Sequence, residues 1–405
     1  MGILSKRSAY AGNPIEEEDR VADELSAERK RIIKLNRGDP AVYFRTPKYI
    51  IDAYVDALRA WHTGYSDPRG IRELRDAIAR RYLRKYRLKT DARHVVVTQG
   101  LSEAIAMLNA ALIDPGNLAV LFRPSYPLYR QYLKLNGGSE VDGRYDEKRN
   151  WSVEVDALAR LLNALPRGKK PKYMLVTNPN NPTGTVLGRG VLKELADLAN
   201  EHGILLVGDE IYDELIFRGT RFTSLCEVAK GMPYVIMNGA SKDFDATGFR
   251  LGFLLIPEDD RTSAEVMEKL TDFAMLRLSA NTPAQYAFAE GLNNRAEHDR
   301  ALKPMLKQIE ERVAFATRLV NESGSMEAVA PHGAYYLFPR ISPGAFGFKD
   351  DREFVDRLLK EEYVQITRGS GFGEKDHVRL VALPTKDILE SAIGRINRFC
   401  RRHEV

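Results

Sequence analysis

Five short runs, His94-Val-Val-Val-Thr98, Leu118-Ala-Val-Leu-Phe122, Tyr173-Met-Leu-Val-Thr177, Ile204-Leu-Leu-Val-Gly208 and Tyr234-Val-Ile-Met237, are almost uninterruptedly apolar. A strand with one wet face alternates apolar and polar residues; a continuous run needs cover on both faces, which crossover helices between parallel strands provide. Helical periodicity lies between the runs. Ile71, Leu74, Ile78 and Tyr82 fall at i, i+3, i+7 and i+11, one face of an amphipathic helix. The pattern predicts an α/β fold whose large domain covers 46–294. After Gly291 a charged helical stretch runs to about Asn321. Beyond it Ala334-Tyr-Tyr-Leu-Phe338, Val364-Gln-Ile-Thr367 and His377-Val-Arg-Leu-Val381 read as strands, interleaved with helices near 351–361 and 386–400. This is a smaller α+β domain. The polar first 45 residues carry their own turn, Arg37-Gly38-Asp39-Pro40, and are expected to return onto it, so the small domain is discontinuous, 1–45 with 295–405.

A chain of 405 residues with 44% apolar and 29% charged residues has the composition of a globular protein of two or three units, not of a disordered or fibrous one. The net charge of +5 is spread over both halves, which argues against a nucleic-acid-binding stripe. Cys226 and Cys400 stand alone, so no disulfide framework or zinc site is expected and a reducing, cytoplasmic location is. Lys6, Arg7 and Glu16-Glu-Glu18 occupy the ground an export signal needs, and Met1-Gly2 lacks the Ser or Thr that myristoylation wants at position 6. The longest apolar run, Ala104 to Ile113, is far short of the roughly 20 residues that span a bilayer. Three motifs fail on spacing. Gly369-Ser-Gly-Phe-Gly373-Glu-Lys375 puts Glu374 and Asp376 where a phosphate loop needs Gly and Ser or Thr, the seven histidines form no HExxH, and no GxSxG elbow occurs.

What remains is a set of polar residues just after the buried strands, where open α/β sheets bind ligands. Asp209 ends an apolar run; a carboxylate buried there needs a cation. Asn178-Pro-Asn-Asn-Pro-Thr-Gly184 is a rigid turn that fixes the Asn181 amide. Asn238-Gly-Ala-Ser-Lys242, followed by Arg250, gathers hydroxyl, amine and guanidinium. Gln99-Gly100-Leu101-Ser102 leads into a helix whose N-terminal amides and dipole suit a phosphate. A phosphate held by Ser102, Ser241 and Arg250, an amine poised for imine formation, a donor to a phenolic oxygen and an acid for a ring nitrogen together describe pyridoxal 5'-phosphate.

The same residues resemble a family. Tyr65-Ser66 with Gly70-Ile-Arg-Glu-Leu-Arg75, Thr98-Gln-Gly-Leu-Ser-Glu-Ala104, Arg123-Pro-Ser-Tyr-Pro127, the 178–184 turn, Asp209-Glu-Ile-Tyr212, Ser241-Lys242 with Gly248-Phe-Arg-Leu-Gly252, and Arg379-Leu-Val-Ala-Leu-Pro384 resemble the fold-type-I, class I/II aminotransferases. Lys34-Leu-Asn-Arg-Gly-Asp-Pro40 and the 237–250 block are most similar to alanine aminotransferases. The resemblance implies a mostly parallel seven-stranded sheet flanked by helices, plus the smaller α+β domain. It implies that Lys242 holds the cofactor as an internal aldimine and then serves as general base, that Asp209 holds the pyridinium, and that Asn181 and Tyr212 meet the ring 3'-oxygen. Tyr126 would stack on the ring, while Gly100, Leu101, Ser102, Ser241 and Arg250 hold the phosphate. Arg379, Gly38 and Asn181 would meet the substrate carboxylate, and Tyr65 would reach the cofactor phosphate of a neighbouring subunit in a homodimer with shared sites.

The implied activity is transamination between a small amino acid, alanine by resemblance, and a 2-oxo acid, 2-oxoglutarate by expectation, with no nucleic-acid, membrane or metal partner. An aspartate or aromatic aminotransferase, and a C–S β-lyase on the same scaffold, stay open. Three departures from the family pattern stand out. Arg368 replaces a usual proline, so its loop is either looser or in contact with something acidic. Arg37, beside the expected carboxylate site, suggests selectivity for a dicarboxylic co-substrate. Asp243 and Asp245 crowd Lys242 and are expected to face away.

Overall fold

The computed structural model describes residues 3–17, 19–257 and 260–404; Met1, Gly2 and Glu18, named above, lie outside them. The chain opens with α1 (Asp19–Ala27), β1 (Ile33–Lys34), α2 (Lys48–Arg59), α3 (Arg72–Tyr86), β2 (Val95–Thr98) and α4 (Leu101–Leu112). It continues through β3 (Leu118–Arg123), α5 (Leu128–Leu135), β4 (Ser139–Asp146), β5 (Ser152–Val153), α6 (Val155–Asn163), β6 (Pro171–Thr177) and α7 (Arg189–Glu201). Then come β7 (Leu205–Asp209), β8 (Tyr234–Gly239), β9 (Gly252–Leu255), α8 (Arg261–Arg277), α9 (Thr282–Asn293) and α10 (Arg295–Glu322). The last elements are β10 (Tyr336–Leu337), α11 (Asp351–Glu362), β11 (Val364–Gln365), β12 (Thr367–Arg368), β13 (Val378–Val381) and α12 (Lys386–His403).

The main sheet runs β2-β9-β8-β7-β6-β3-β4-β5. Strands β8, β7, β6, β3 and β4 are mutually parallel, β9 is antiparallel to both of its neighbours, and the two-residue β5 pairs antiparallel with β4. The sheet thus has seven longer strands and a minimal eighth. Its residues explain the unbroken apolar runs. Val95, Val97, Val120, Phe122, Met174, Val176, Leu206, Tyr234 and Ile236 pack into one buried cluster; their sequence neighbours Val96, Ala119, Leu121, Tyr173, Leu175, Leu205, Val207, Val235 and Met237 pack into another, shared with α4 and α8. Side chains alternate between faces, and both faces are dry.

A third buried cluster joins Leu35 to Val313, Phe354, Val364, Leu380 and Ile396. The early chain reaches it as an added strand: β1 lies parallel to β11, with Ile33 opposite Val364. Beside it β10, β13 and β12 form an antiparallel sheet. No helix among the described residues is long and apolar enough to cross a membrane.

Candidate active site

Strands β2, β3, β6, β7 and β8 deliver their following residues to one cavity, whose walls include Ser102, Asn181, Asp209, Lys242, Arg250 and Arg379. The 178–184 turn is held from all sides. The Asn178 side chain accepts from Leu187 N at 2.8 Å, and the Asn180 amide donates to Pro124 O at 3.1 Å and Thr183 Oγ1 at 3.0 Å. Asn181 is therefore presented rigidly, and its Oδ1 accepts from Arg379 Nη1 at 3.0 Å.

Arg379 on β13 is the most constrained cation of the site. It is 1% exposed, donates a second hydrogen bond from Nη2 to Asn36 O, and has its guanidinium carbon over the rings of Tyr336 and Phe372, 4.8 and 4.7 Å from their centroids. Its Nε has no partner, and no carboxylate pairs with it among the described residues. A buried guanidinium so arranged matches an incoming carboxylate.

Asp209 is equally buried. Its Oδ2 accepts from the Tyr129 hydroxyl at 2.7 Å and its Oδ1 from Ile211 N at 3.1 Å. Burial raises its pKa to about 6, against the pull of those hydrogen bonds and of Lys242. The Lys242 amine donates to Gly38 O at 2.7 Å. Its pKa falls to about 8, first because burial disfavours the ammonium, with Arg379 and Arg250 adding repulsion against the attraction of Asp39 and Asp209. Tyr212 is buried, with its hydroxyl sharing a 2.8 Å hydrogen bond with that of Tyr336. Half-buried Tyr126 stands edge-on to Tyr129 at the cavity wall.

The phosphate side is built by Gly100. Its φ of +74° favours glycine, and a Cβ there would stand 2.7 Å from Arg250 Nη2. The guanidinium therefore closes over a bare backbone at the start of α4, with Ser102 and Ser241 also lining the cavity and Leu101 alongside. A cation, a helix N-terminus and hydroxyls suit a phosphate. Gly38 is tight in a different way: a Cβ would collide with the Tyr336 hydroxyl.

Several expectations need qualification. Tyr65, expected at a neighbouring subunit's phosphate site, lies outside this cavity and is 84% exposed. The Arg368 loop is not loose, since its guanidinium and that of Arg352 both bind Glu17. Arg37 does line the cavity, yet is paired to Asp19, with Glu16 Oε1 at 3.8 Å. Asp243 does turn to Arg81, 3.5 Å away, but Asp245 remains within electrostatic reach of Lys242, its pKa raised to about 7 by burial. Sequence reasoning missed Tyr129, Tyr336 and Asp39, whose carboxylate accepts from Thr247 Oγ1 at 2.8 Å. Tyr129 lies two residues beyond the 123–127 motif, whereas Tyr336 sits in an apolar strand run where a tyrosine reads as core.

A ring nitrogen for Asp209, a phosphate for Arg250 and the start of α4, and a carboxylate for Arg379 are the demands of pyridoxal phosphate with an amino acid, and the residues present fit them. The family model for aminotransferase class I and II matches residues 30–396. The chain belongs to this family and is a pyridoxal-phosphate-dependent aminotransferase. It is 33% identical to the glutamate-pyruvate aminotransferase AlaA of Haemophilus influenzae over 93% of this chain and 92% of that protein. It is 33% identical to the aspartate aminotransferase of Bacillus subtilis over 94% of each. The solved alanine aminotransferase from Pyrococcus furiosus superposes with a TM-score of 0.92 at 35% identity, over 98% of this chain and all of that one.

Proposed function

We propose that the protein transfers an amino group from alanine to 2-oxoglutarate and back, with Lys242 as cofactor anchor. The observation that carries this reading is the shared cavity in which a buried arginine with an unsatisfied Nε, Arg379, faces the depressed amine of Lys242. Pyridoxal phosphate, when bound, supplies an aldehyde for imine exchange and a ring that takes up the electron pair released at the substrate Cα. The chain's residues do the rest. Arg379, Asn181 and Gly38 would orient the α-carboxylate, and the Lys242 amine would carry the proton taken from the substrate Cα. Asp209, oriented by Tyr129, would keep the ring nitrogen protonated, while Tyr212 and Asn181 would hold the ring 3'-oxygen and Tyr126 would line the ring's site. Arg37 is the group we assign to a distal carboxylate, which must displace Asp19 and Glu16.

The same reading makes the protein a cytoplasmic homodimer. In that homodimer Tyr65, 84% exposed on its own protomer, serves the partner's phosphate site. The division into 46–294 and 1–45 with 295–405 is part of it, supported by the separate sheets and by Leu35 in the C-terminal core.

The test is a half-reaction. Cofactor-loaded protein is mixed with single amino acids, and the visible band is followed as it converts to the pyridoxamine band. Conversion by alanine and glutamate is expected. Pyruvate and ammonia from cysteine-type substrates without that conversion would indicate a β-lyase, and conversion by aspartate in preference to alanine would favour the second reading that the Bacillus relative suggests.

A further inference from the structure

Behind the cavity lies a cluster of buried charges that the transamination reading does not use. Arg81 of α3 is its centre, buried and absent from the cavity wall. Its Nη2 donates to both oxygens of Asp213, at 2.8 and 2.9 Å, and stands 3.5 Å from Glu214 Oε1 and 3.5 Å from Asp243 Oδ2. Asp213 is the residue after Tyr212, and Asp243 is the residue after Lys242. The amide of Asn238, at the end of β8, adds a 3.0 Å hydrogen bond to Asp213, and Lys85 Nζ adds one of 2.6 Å. Asp243 makes no hydrogen bond through either oxygen, and burial together with the neighbouring Asp213 and Glu214 pushes its pKa well up, so the 3.5 Å contact with Arg81 is its polar tie among the described residues.

We propose that Arg81 is a positioning residue that sets the spacing between the Lys242 amine and the Tyr212 hydroxyl by holding the next residue of each loop. A buried ionic network is not an economical way to stabilise a core, because apolar packing of similar volume does as well or better. What it supplies is direction. With Asp213 and Asp243 both within 3.5 Å of one guanidinium nitrogen on the far side, Tyr212 and Lys242 are turned into the cavity together, and their separation is tied to one side chain rather than to two independent turns. Asp243 therefore has its acidic side chain beside the anchor lysine without facing the phosphate.

The inference rests on Lys242 anchoring the cofactor, so the experiment separates the two. Loaded wild type is reduced with borohydride and the labelled lysine identified. Label on a lysine other than Lys242 overturns the site reading, and the Arg81 bridge with it. With Lys242 confirmed, Asp243→Ala, which removes the contact with Arg81, is compared with Arg81→Lys and Tyr212→Phe. The expected result for Asp243→Ala is a kcat lowered about tenfold with the alanine KM within about twofold, and a pH midpoint of the visible band shifted in the direction that Tyr212→Phe shifts it. Combined with Tyr212→Phe it should be less than additive. Wild-type kcat and midpoint in Asp243→Ala overturn the bridge whatever happens to the melting temperature, and so does an Asp243→Ala effect that simply adds to that of Tyr212→Phe.

Discussion

At the scale of the residue, burial sets the chemistry before any ligand arrives. Lys242, lowered to about 8, reaches its neutral, nucleophilic form near neutrality, where an ordinary lysine would be charged. Because the charged form is the one disfavoured, capture of pyridoxal phosphate by the cofactor-free protein should accelerate about tenfold per pH unit below 8 and level off above it. The rate of appearance of the visible band measures this; a rate still climbing at pH 10 would contradict it. Asp209 carries the complementary prediction. Asp209→Ala should lower kcat by about a hundredfold or more while the cofactor is still retained, since the carboxylate acts on charge developing in the ring. Tyr129→Phe removes one donor from a buried carboxylate and should cost about tenfold in kcat. Arg37→Ala should raise the KM for 2-oxoglutarate about tenfold, as loss of one charged contact does, and leave that for pyruvate unchanged. An equal effect on both would remove Arg37 from the distal site.

At the scale of the element, the site is legible where one strand end carries one chemical role. The apolar runs announced β2, β3, β6, β7 and β8 because each buries both faces, and the polar residue following each run stood out against them. Strand β4 escaped because its residues alternate: Val141, Gly143 and Tyr145 are buried, while Glu140 and Asp142 on the other face pair with Arg130 and Arg123. Strand β9 escaped because Gly252-Phe-Leu-Leu255 is short and follows a motif read for its arginine. The hydroxyls of Tyr129 and Tyr336 were hidden for another reason: a tyrosine on the buried face of an amphipathic helix or in an apolar run looks like core, and only the folded chain shows that the first hydroxyl ends on Asp209 and the second on Tyr212. The start of α4 carries its own test. Gly100→Ala adds a methyl group at positive φ against Arg250, so pyridoxal phosphate should bind about tenfold or more weakly, given a strain of roughly 1–2 kcal/mol. Equilibrium titration of the visible band measures it.

At the scale of the whole molecule, an exposed Tyr65 that serves the neighbouring subunit's site predicts a dimer whose dissociation costs activity. Sedimentation should report twice the chain mass at micromolar concentration, and Tyr65→Phe should weaken cofactor retention without altering that mass. The return of the early chain to β11 has a further effect. The segment from Asn36 to Asp39 reaches Arg379 through Asn36 O, Thr247 through the Asp39 carboxylate, and Lys242 and Tyr335 through a single carbonyl, Gly38 O, which accepts from both at 2.7 and 3.0 Å. An amine that condenses with an aldehyde surrenders its hold on that carbonyl. Tyr335 then holds that carbonyl alone, while Arg379 and Thr247 keep the rest of the segment against the site, so loading of the cofactor would release one of these four ties.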